Sequence, residues 1–165
     1  GGAIAMQMAV SAPARVASLA LVSPAGFDTG MNGGYTDGFV QAQSRRELKP
    51  VLEQLFADPD LVSRQMIDDM LKFKRMDGVE PLLAELGAAL FGGGRQSAVL
   101  ADELAALDKP VLVVWGNEDR VIPAEQAAHA PPHAKVIRFD ATGHMAMLEK
   151  ASEVNAALQR HLSGG

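Results

Sequence analysis

The chain has 165 residues, a formal net charge of −5 and no cysteine, and its 48% hydrophobic and 21% charged residues are the balance of an ordinary globular domain. The absence of cysteine excludes disulfides, thiolate metal sites and a cysteine nucleophile, and the negative charge argues against nucleic acid as a partner. No run approaches the roughly 18 apolar residues of a membrane span. We therefore predict a cytoplasmic protein with neither a membrane partner nor a metal site.

The first predicted element is an almost wholly apolar helix. It covers Ala3 to Val10, and Gln7 is its only polar residue. A helix that is apolar on every side is normally buried between other elements, whereas a chain terminus is usually polar. We therefore expect this helix to be buried, with part of its surroundings supplied by an element outside the chain.

Three short apolar runs predict buried strands at residues 16–22 (VASLALV), 110–115 (PVLVVW) and 135–139 (KVIRF). Near-continuous apolar runs of this length are typical of strands that are covered on both faces. Helices are predicted after the second run, at 124–130, and after the third, at 152–162. This alternation predicts an α/β fold with three parallel strands and flanking helices.

The segment between the first two strands differs from the rest of the chain, since it begins with a glycine-rich loop and continues with helices alone. The helices are predicted at 37–47, 50–56, 60–75, 79–90 and 97–107. Asp60 is the predicted N-cap of the third. We predict that residues 1–25 and 95–165 form the α/β core and that residues 26–94 form a helical cap over the carboxyl ends of the strands.

Two polar residues that follow the second and third strands are the candidate catalytic pair. Asp119 and His144 are 25 residues apart, about one αβ unit. If the two strands are neighbours, both residues emerge at the sheet edge where α/β proteins bind ligands. A carboxylate that accepts the Nδ1 proton of a histidine leaves Nε2 free to act as a base. Glu118 is expected to face solvent.

The remaining histidines, His129, His133 and His161, are expected at the surface. The pair still needs a nucleophile, and Ser23 is a weak candidate because Pro24 follows it.

The loops around the pair resemble those of the α/β-hydrolase fold family. The acid of that family lies in a Gly-x-x-Asp-x-x-x-Pro loop, matched here by Gly116, Asp119 and Pro123, and the histidine lies in a Gly-His loop, matched by Gly143 and His144. The family's nucleophile elbow is Gly-x-Ser-x-Gly, and the serine precedes the acid and the histidine in the chain.

The resemblance covers the whole chain but only the later half of the family's fold. Gly1 and Gly2 resemble the end of the nucleophile elbow, and Ala3 to Val10 resemble the helix behind it. The resemblance therefore implies that the serine lies just before Gly1 and that the chain lacks its nucleophile.

The predicted cap resembles that of the acyltransferase components of acetoin dehydrogenase complexes. This resemblance implies acetyl transfer between dihydrolipoamide and coenzyme A, with the upstream serine as covalent relay, His144 as its base and Asp119 orienting His144. It also implies a lipoyl group on an upstream domain, coenzyme A as co-substrate and other subunits of the complex as partners. Arg45 and Arg46 are candidates for contacts with an anionic substrate, although a solvated helix face is the preferred interpretation.

Two alternatives remain open. Many serine-type ester and C–C bond hydrolases share the same loops, and water competes with a thiol for the same acyl-enzyme. The second alternative is that the chain is a catalytically inactive fragment with a structural or interface role, because a triad without its nucleophile loses most of its rate enhancement. An unpaired apolar edge on the first strand would favour self-association.

Overall fold

Three parallel strands form the centre of the fold: β1 (Leu19–Val22), β2 (Val111–Gly116) and β3 (Lys135–Phe139). The structure is a computed structural model that describes residues 1–164. The strand order is β1-β2-β3, and all the residues of the central strand β2 are buried. Val113 is paired with Leu21 on one side and with Val136 on the other. The predicted parallel sheet is confirmed, and its second and third strands are neighbours.

Helices precede, separate and follow these strands. The α-helices of the described residues are α1 (Gly2–Ser11), α2 (Gly33–Gln41), α3 (Arg45–Leu52), α4 (Arg64–Lys74), α5 (Val79–Phe91), α6 (Ala101–Ala105), α7 (Ala146–Glu149) and α8 (Ala151–Leu162). Short 3-10 turns lie at Pro13–Arg15, Glu53–Leu55, Pro59–Leu61, Gly92–Gly94 and Ala124–His129.

Outside the inserted segment, the predicted bounds of several elements are wrong. Strand β1 begins at Leu19, three residues after its predicted start, because Val16 closes the 3-10 turn that Pro13 begins. The helix predicted at 124–130 is a 3-10 helix. The helix predicted at 97–107 shortens to α6.

Capping side chains explain the shifted boundaries in the inserted segment. Ser44 accepts a hydrogen bond from the backbone of Glu47, which reaches back to Ser44, and this capping box starts α3 well ahead of Pro50. Ser63 caps α4, so the prediction that Asp60 is its N-cap is wrong. Asp60 lies in the preceding 3-10 turn, which Asp58 caps.

Helix α1 is only partly buried, although the sequence predicts a buried helix. Met6 and Ala9 are fully buried against the core, whereas Ile4 is 75% exposed and Met8 is 49% exposed. One face of α1 therefore packs against the core, and its other face is an exposed apolar surface in the described structure.

The two ends of the inserted helical segment meet at one point. Gly30 and Arg95 form an antiparallel bridge, and Gln96 donates from its backbone to Thr29 and accepts from the backbone of Gly26. This closure lies close to the predicted boundaries of the 26–94 segment. Gly165, the last residue of the predicted core, lies outside the described residues.

The buried side chains form one cluster on each face of the sheet and a third inside the inserted helices. Tyr35 and Leu55 pack against both the largest sheet cluster and the inserted cluster. These two side chains therefore couple the inserted helices to the sheet.

Tyr35 makes this coupling measurable, because it is the only tyrosine of the chain and burial raises its pKa to about 12 from 10.0. An ultraviolet titration of the folded protein should therefore show phenolate forming near pH 12 and little near pH 10. The contribution of this group to stability is complete below pH 10 and is lost as the pH rises towards 12, because the unfolded chain releases the proton first.

Tyr35→Phe is the control for that titration and should abolish the absorbance change. Far-ultraviolet circular dichroism at each pH establishes that the protein is still folded. A phenolate transition near pH 10 in the folded protein would contradict the burial of Tyr35.

Candidate active site

Asp119 lies in the loop that follows β2, and its side chain has no exposed surface. Its Oδ1 accepts hydrogen bonds from the backbone N–H groups of Val121 and Ile122, at 2.8 and 2.9 Å. Its Oδ2 accepts a third from the indole Nε1–H of Trp115, at 2.9 Å. These three donors fix the carboxylate in one orientation within a buried site.

His144 lies in the loop after β3 and faces the same carboxylate, with 2.8 Å between its Nδ1 and Asp119 Oδ2. An ionised carboxylate can only accept, so this contact places a proton on Nδ1 and leaves Nε2 as the basic nitrogen. The imidazole is 22% exposed, whereas its partner is wholly buried. The structure therefore brings Asp119 and His144 together, and their arrangement suits a general base.

Gly116 at the end of β2 allows the two loops to approach each other. A Cβ atom on Gly116 would lie 2.2 Å from the carbonyl oxygen of Thr142 and 2.3 Å from that of Gly143. Glu118 is exposed, as predicted, but it also joins the loops, since its backbone donates to Thr142 and its carboxylate accepts from the Thr142 backbone, both at 2.9 Å.

The backbone on either side of His144 is bound to the inserted segment. Gly143 N donates to Glu149 Oε2 at 2.7 Å, and the other oxygen of the same carboxylate accepts from Ala57 N at 2.8 Å. Met145 N donates to the carbonyl oxygen of Leu55 at 3.1 Å. Sequence reasoning missed Glu149, because its local pattern is that of any acidic residue in a short helix.

Replacing Glu149 by Gln should destabilise the fold by about 2 kcal/mol, since it removes a charged acceptor from two backbone donors. The amide offers one acceptor oxygen, so one of the two N–H groups loses its partner. Urea unfolding measures the change. Glu153→Gln is the matched control, because Glu153 is exposed on α8 and should change stability by less than about 0.5 kcal/mol. Equal effects of the two substitutions would contradict the bridging role.

Asn32 binds the acid loop to the same inserted segment. Its backbone N donates to Val121 O and its side-chain amide donates to Arg120 O, each at 2.8 Å, while its Oδ1 caps α2. Both loops of the pair are therefore anchored to the segment that separates β1 from β2.

The other candidate residues lie apart from this constellation. His129 and His133 are exposed, as predicted, whereas the prediction for His161 is wrong because its ring is half-buried and its Nε2 is shielded from solvent. Arg45 forms an ion pair with Asp68 of α4.

Within residues 1–164, no group of three or more potential metal-ligating side chains converges. No helix among them is long and apolar enough to cross a bilayer.

The beginning of α1 lies next to the end of β1. A Cβ on Gly2 would come 2.5 Å from Pro24 Cβ, so this glycine permits a close approach. Ser23 has a positive φ of 44°, and its buried hydroxyl has no hydrogen-bond partner among the described residues. Gly1 is exposed and has open space around it.

Comparison with known proteins extends these observations. The chain is 59% identical over 164 residues to a protein from Cupriavidus necator named dihydrolipoyllysine-residue acetyltransferase component of acetoin cleaving system, and 47% identical over 165 residues to a Pseudomonas putida protein of the same name. These matches cover 99% and 98% of this chain but 44% of each relative. A 2-hydroxymuconate semialdehyde hydrolase of Pseudomonas putida is 27% identical, with 59% of its length covered.

Solved structures and a family profile agree on the fold. A meta-cleavage product hydrolase from Pseudomonas fluorescens superposes with a TM-score of 0.86 at 19% identity, over 99% of this chain and 62% of that one. The chain thus spans less than two thirds of the length of each of these relatives. The profile of the alpha/beta hydrolase fold matches residues 1–151. This match, together with the parallel sheet and its two loops, shows that the chain belongs to the alpha/beta hydrolase fold family.

Proposed function

We propose that the chain is the C-terminal part of the catalytic domain of an acetyltransferase that moves acetyl groups between a dihydrolipoyl group and coenzyme A. The observation that carries this proposal is the hydrogen-bonded Asp119–His144 pair in a chain 59% identical to a named dihydrolipoyllysine-residue acetyltransferase component. The nucleophile is a serine that precedes Gly1. Gly2 supports this placement, because its contact with Pro24 sets the start of α1 at the carboxyl end of the sheet.

His144 carries the proton through both halves of the reaction. Its Nε2 takes the serine proton as Oγ attacks the thioester carbonyl; the carbon–sulfur bond then breaks, and the departing dihydrolipoyl thiol receives that proton. Coenzyme A next attacks the acyl-serine through its sulfur, its thiol proton passes to Nε2, and serine regains a proton as it leaves. Asp119 stays ionised throughout and stabilises the imidazolium. This cycle leaves the enzyme unchanged and forms acetyl-coenzyme A.

Residues 26–94 act in this proposal as a cap on a core formed by residues 1–25 and 95–165. Asn32 binds the acid loop, Leu55 binds Met145 next to His144, and Ala57 binds Glu149 of α7. These hydrogen bonds support a cap that is fixed to the site at its base. The lipoyl group would come from another domain, and other subunits of an acetoin-cleaving system would be partners.

A serine hydrolase is the second candidate function. The 27% identity to a semialdehyde hydrolase and the structural likeness to a meta-cleavage product hydrolase favour it. The same Asp119–His144 pair would then activate serine for attack on an ester or a carbonyl carbon, and water would take the place of coenzyme A. The chain without its nucleophile would be inactive by either route.

An assay of the full-length protein separates these functions. Purified enzyme is given S-acetyldihydrolipoamide with and without coenzyme A, and both acetyl-coenzyme A and free acetate are quantified. Acetyl-coenzyme A should be the main product when the thiol is present. Acetate formed at the same rate with and without coenzyme A would reject the transferase and leave the hydrolase.

A further inference from the structure

A cleft of about 690 Å³ lies between α2 and α4, outside the Asp119–His144 pair. It is lined by Phe39, Met66, Asp69, Met70 and Phe73. The four residues from α4 recur at helical spacing, so they lie on one face of that helix. Two thioethers and two aromatic rings therefore dominate the lining of this open cleft.

The cleft is connected to the His144 loop by shared packing. Met145, the residue after His144, packs against the buried cluster of the inserted helices, and Phe39, Met66 and Met70 pack against the same cluster. The backbone of Met145 is also bound to this segment through Leu55. A ligand in the cleft therefore lies against the same packed unit that holds the proposed base.

The charges around the cleft disfavour an anionic ligand. Asp69 is the one charged residue that lines it, and this residue is exposed and accepts a hydrogen bond from Gln65. The neighbouring cation, Lys74, is 3% exposed and donates to the carbonyl oxygens of Phe39 and Val40, while burial lowers its pKa. Among the lining residues, none offers a positive charge to a carboxylate.

We propose that this cleft binds the aliphatic chain of a neutral dihydrolipoyl thioester. The inference rests on the proposed function and adds to it the binding site of the acyl donor. Methionine side chains are flexible and polarizable, so they adapt to a hydrocarbon chain that ends in sulfur. Asp69 would repel the same chain when it carries a free carboxylate. The cleft thus selects donors whose carboxyl end is amidated.

Methionine-methyl NMR tests the site without any turnover. The full-length protein, labelled with ¹³C at the methionine methyl groups, is titrated with lipoamide and separately with lipoate, which differ in the charge at one end. Lipoamide should shift the signals of Met66 and Met70 and leave those of Met76 and Met8 in place. Lipoate should bind more weakly by about threefold, equivalent to about 0.7 kcal/mol, the size of an interaction between exposed charges.

Three results would overturn the inference: no shift at Met66 and Met70, a shift confined to Met8, or equal affinity for lipoate and lipoamide. Because the titration needs no nucleophile, failure of the acetyl-transfer assay leaves it valid. Conversely, active enzyme without methyl shifts would retain the proposed function and reject this cleft.

Substitutions in the full-length protein give a second, independent readout. Met70→Gln keeps nearly the same shape but makes the cleft polar, and it should raise the KM for S-acetyldihydrolipoamide about tenfold with little change in kcat. Met70→Leu, made in the same parent protein, should have a KM within about twofold of the parent value, because leucine conserves the apolar volume. Met76→Gln, at a residue 60% exposed, is the matched control. Equal KM values for the two Gln variants would contradict the site.

Discussion

Asp119→Asn should lower the rate of acetyl transfer by the full-length protein by about 10⁴-fold. The side chain of Asn has one acceptor oxygen, and the backbone N–H groups of Val121 and Ile122 hold that oxygen. Its NH₂ group would then face the indole N–H of Trp115 and His144 Nδ1. Because this group donates, Nδ1 must accept, the remaining proton moves to Nε2, and the base can no longer take a proton from serine.

The measurement is the steady-state rate of acetyl-coenzyme A formation under saturating donor and acceptor. His144→Ala should be at least as inactive as Asp119→Asn, because it removes the base itself, whereas Asn only misplaces the proton of that base. Glu118→Gln is the control carboxylate and should retain activity within about tenfold, since the amide oxygen can still accept from Thr142 N. Strong loss in Glu118→Gln with a mild effect in Asp119→Asn would reassign the acid.

Gly143→Ala should destabilise the protein by about 3 kcal/mol, the upper range for overpacking. The added Cβ would lie 2.8 Å from three backbone atoms, Ala57 N, Leu55 O and Phe56 C. Backbone cannot move aside as a flexible side chain does, so the His144 loop must separate from the inserted segment. That separation breaks the hydrogen bonds that Glu149 makes to both sides.

Thermal and urea unfolding of the chain itself test this expectation. Gly92→Ala is the matched control, because a Cβ there meets no atom within 4 Å and its φ is negative. It should alter stability by less than about 0.5 kcal/mol. A Gly143→Ala variant as stable as the control would show that the loop and the inserted segment are not held in contact.

Much of the fold could be read from residue types. Apolar runs indicate the three parallel strands, and the third has the predicted bounds, Lys135–Phe139. The prediction that this strand is buried is wrong, because β3 lies at the edge of the sheet, where Lys135, Val136 and Arg138 are exposed. The starts of helices are harder to predict where several neighbouring residues could act as the N-cap. Ser44 and Ser63 cap α3 and α4, whose starts were predicted at residues 50 and 60, because each serine oxygen accepts a hydrogen bond from a backbone N–H of the first turn.

The sequence by itself determined the parallel α/β architecture and the choice of Asp119 and His144, because hydrophobic patterning and the loops after strands are local properties. Tertiary structure decided what holds those two residues. Asn32 is 88 residues before Arg120, and Ala57 is 92 residues before Glu149, so only folding brings the inserted segment to these partners. The face of α1 that is packed was likewise decided in three dimensions, since a uniformly apolar helix carries no periodic signal of which side meets the core.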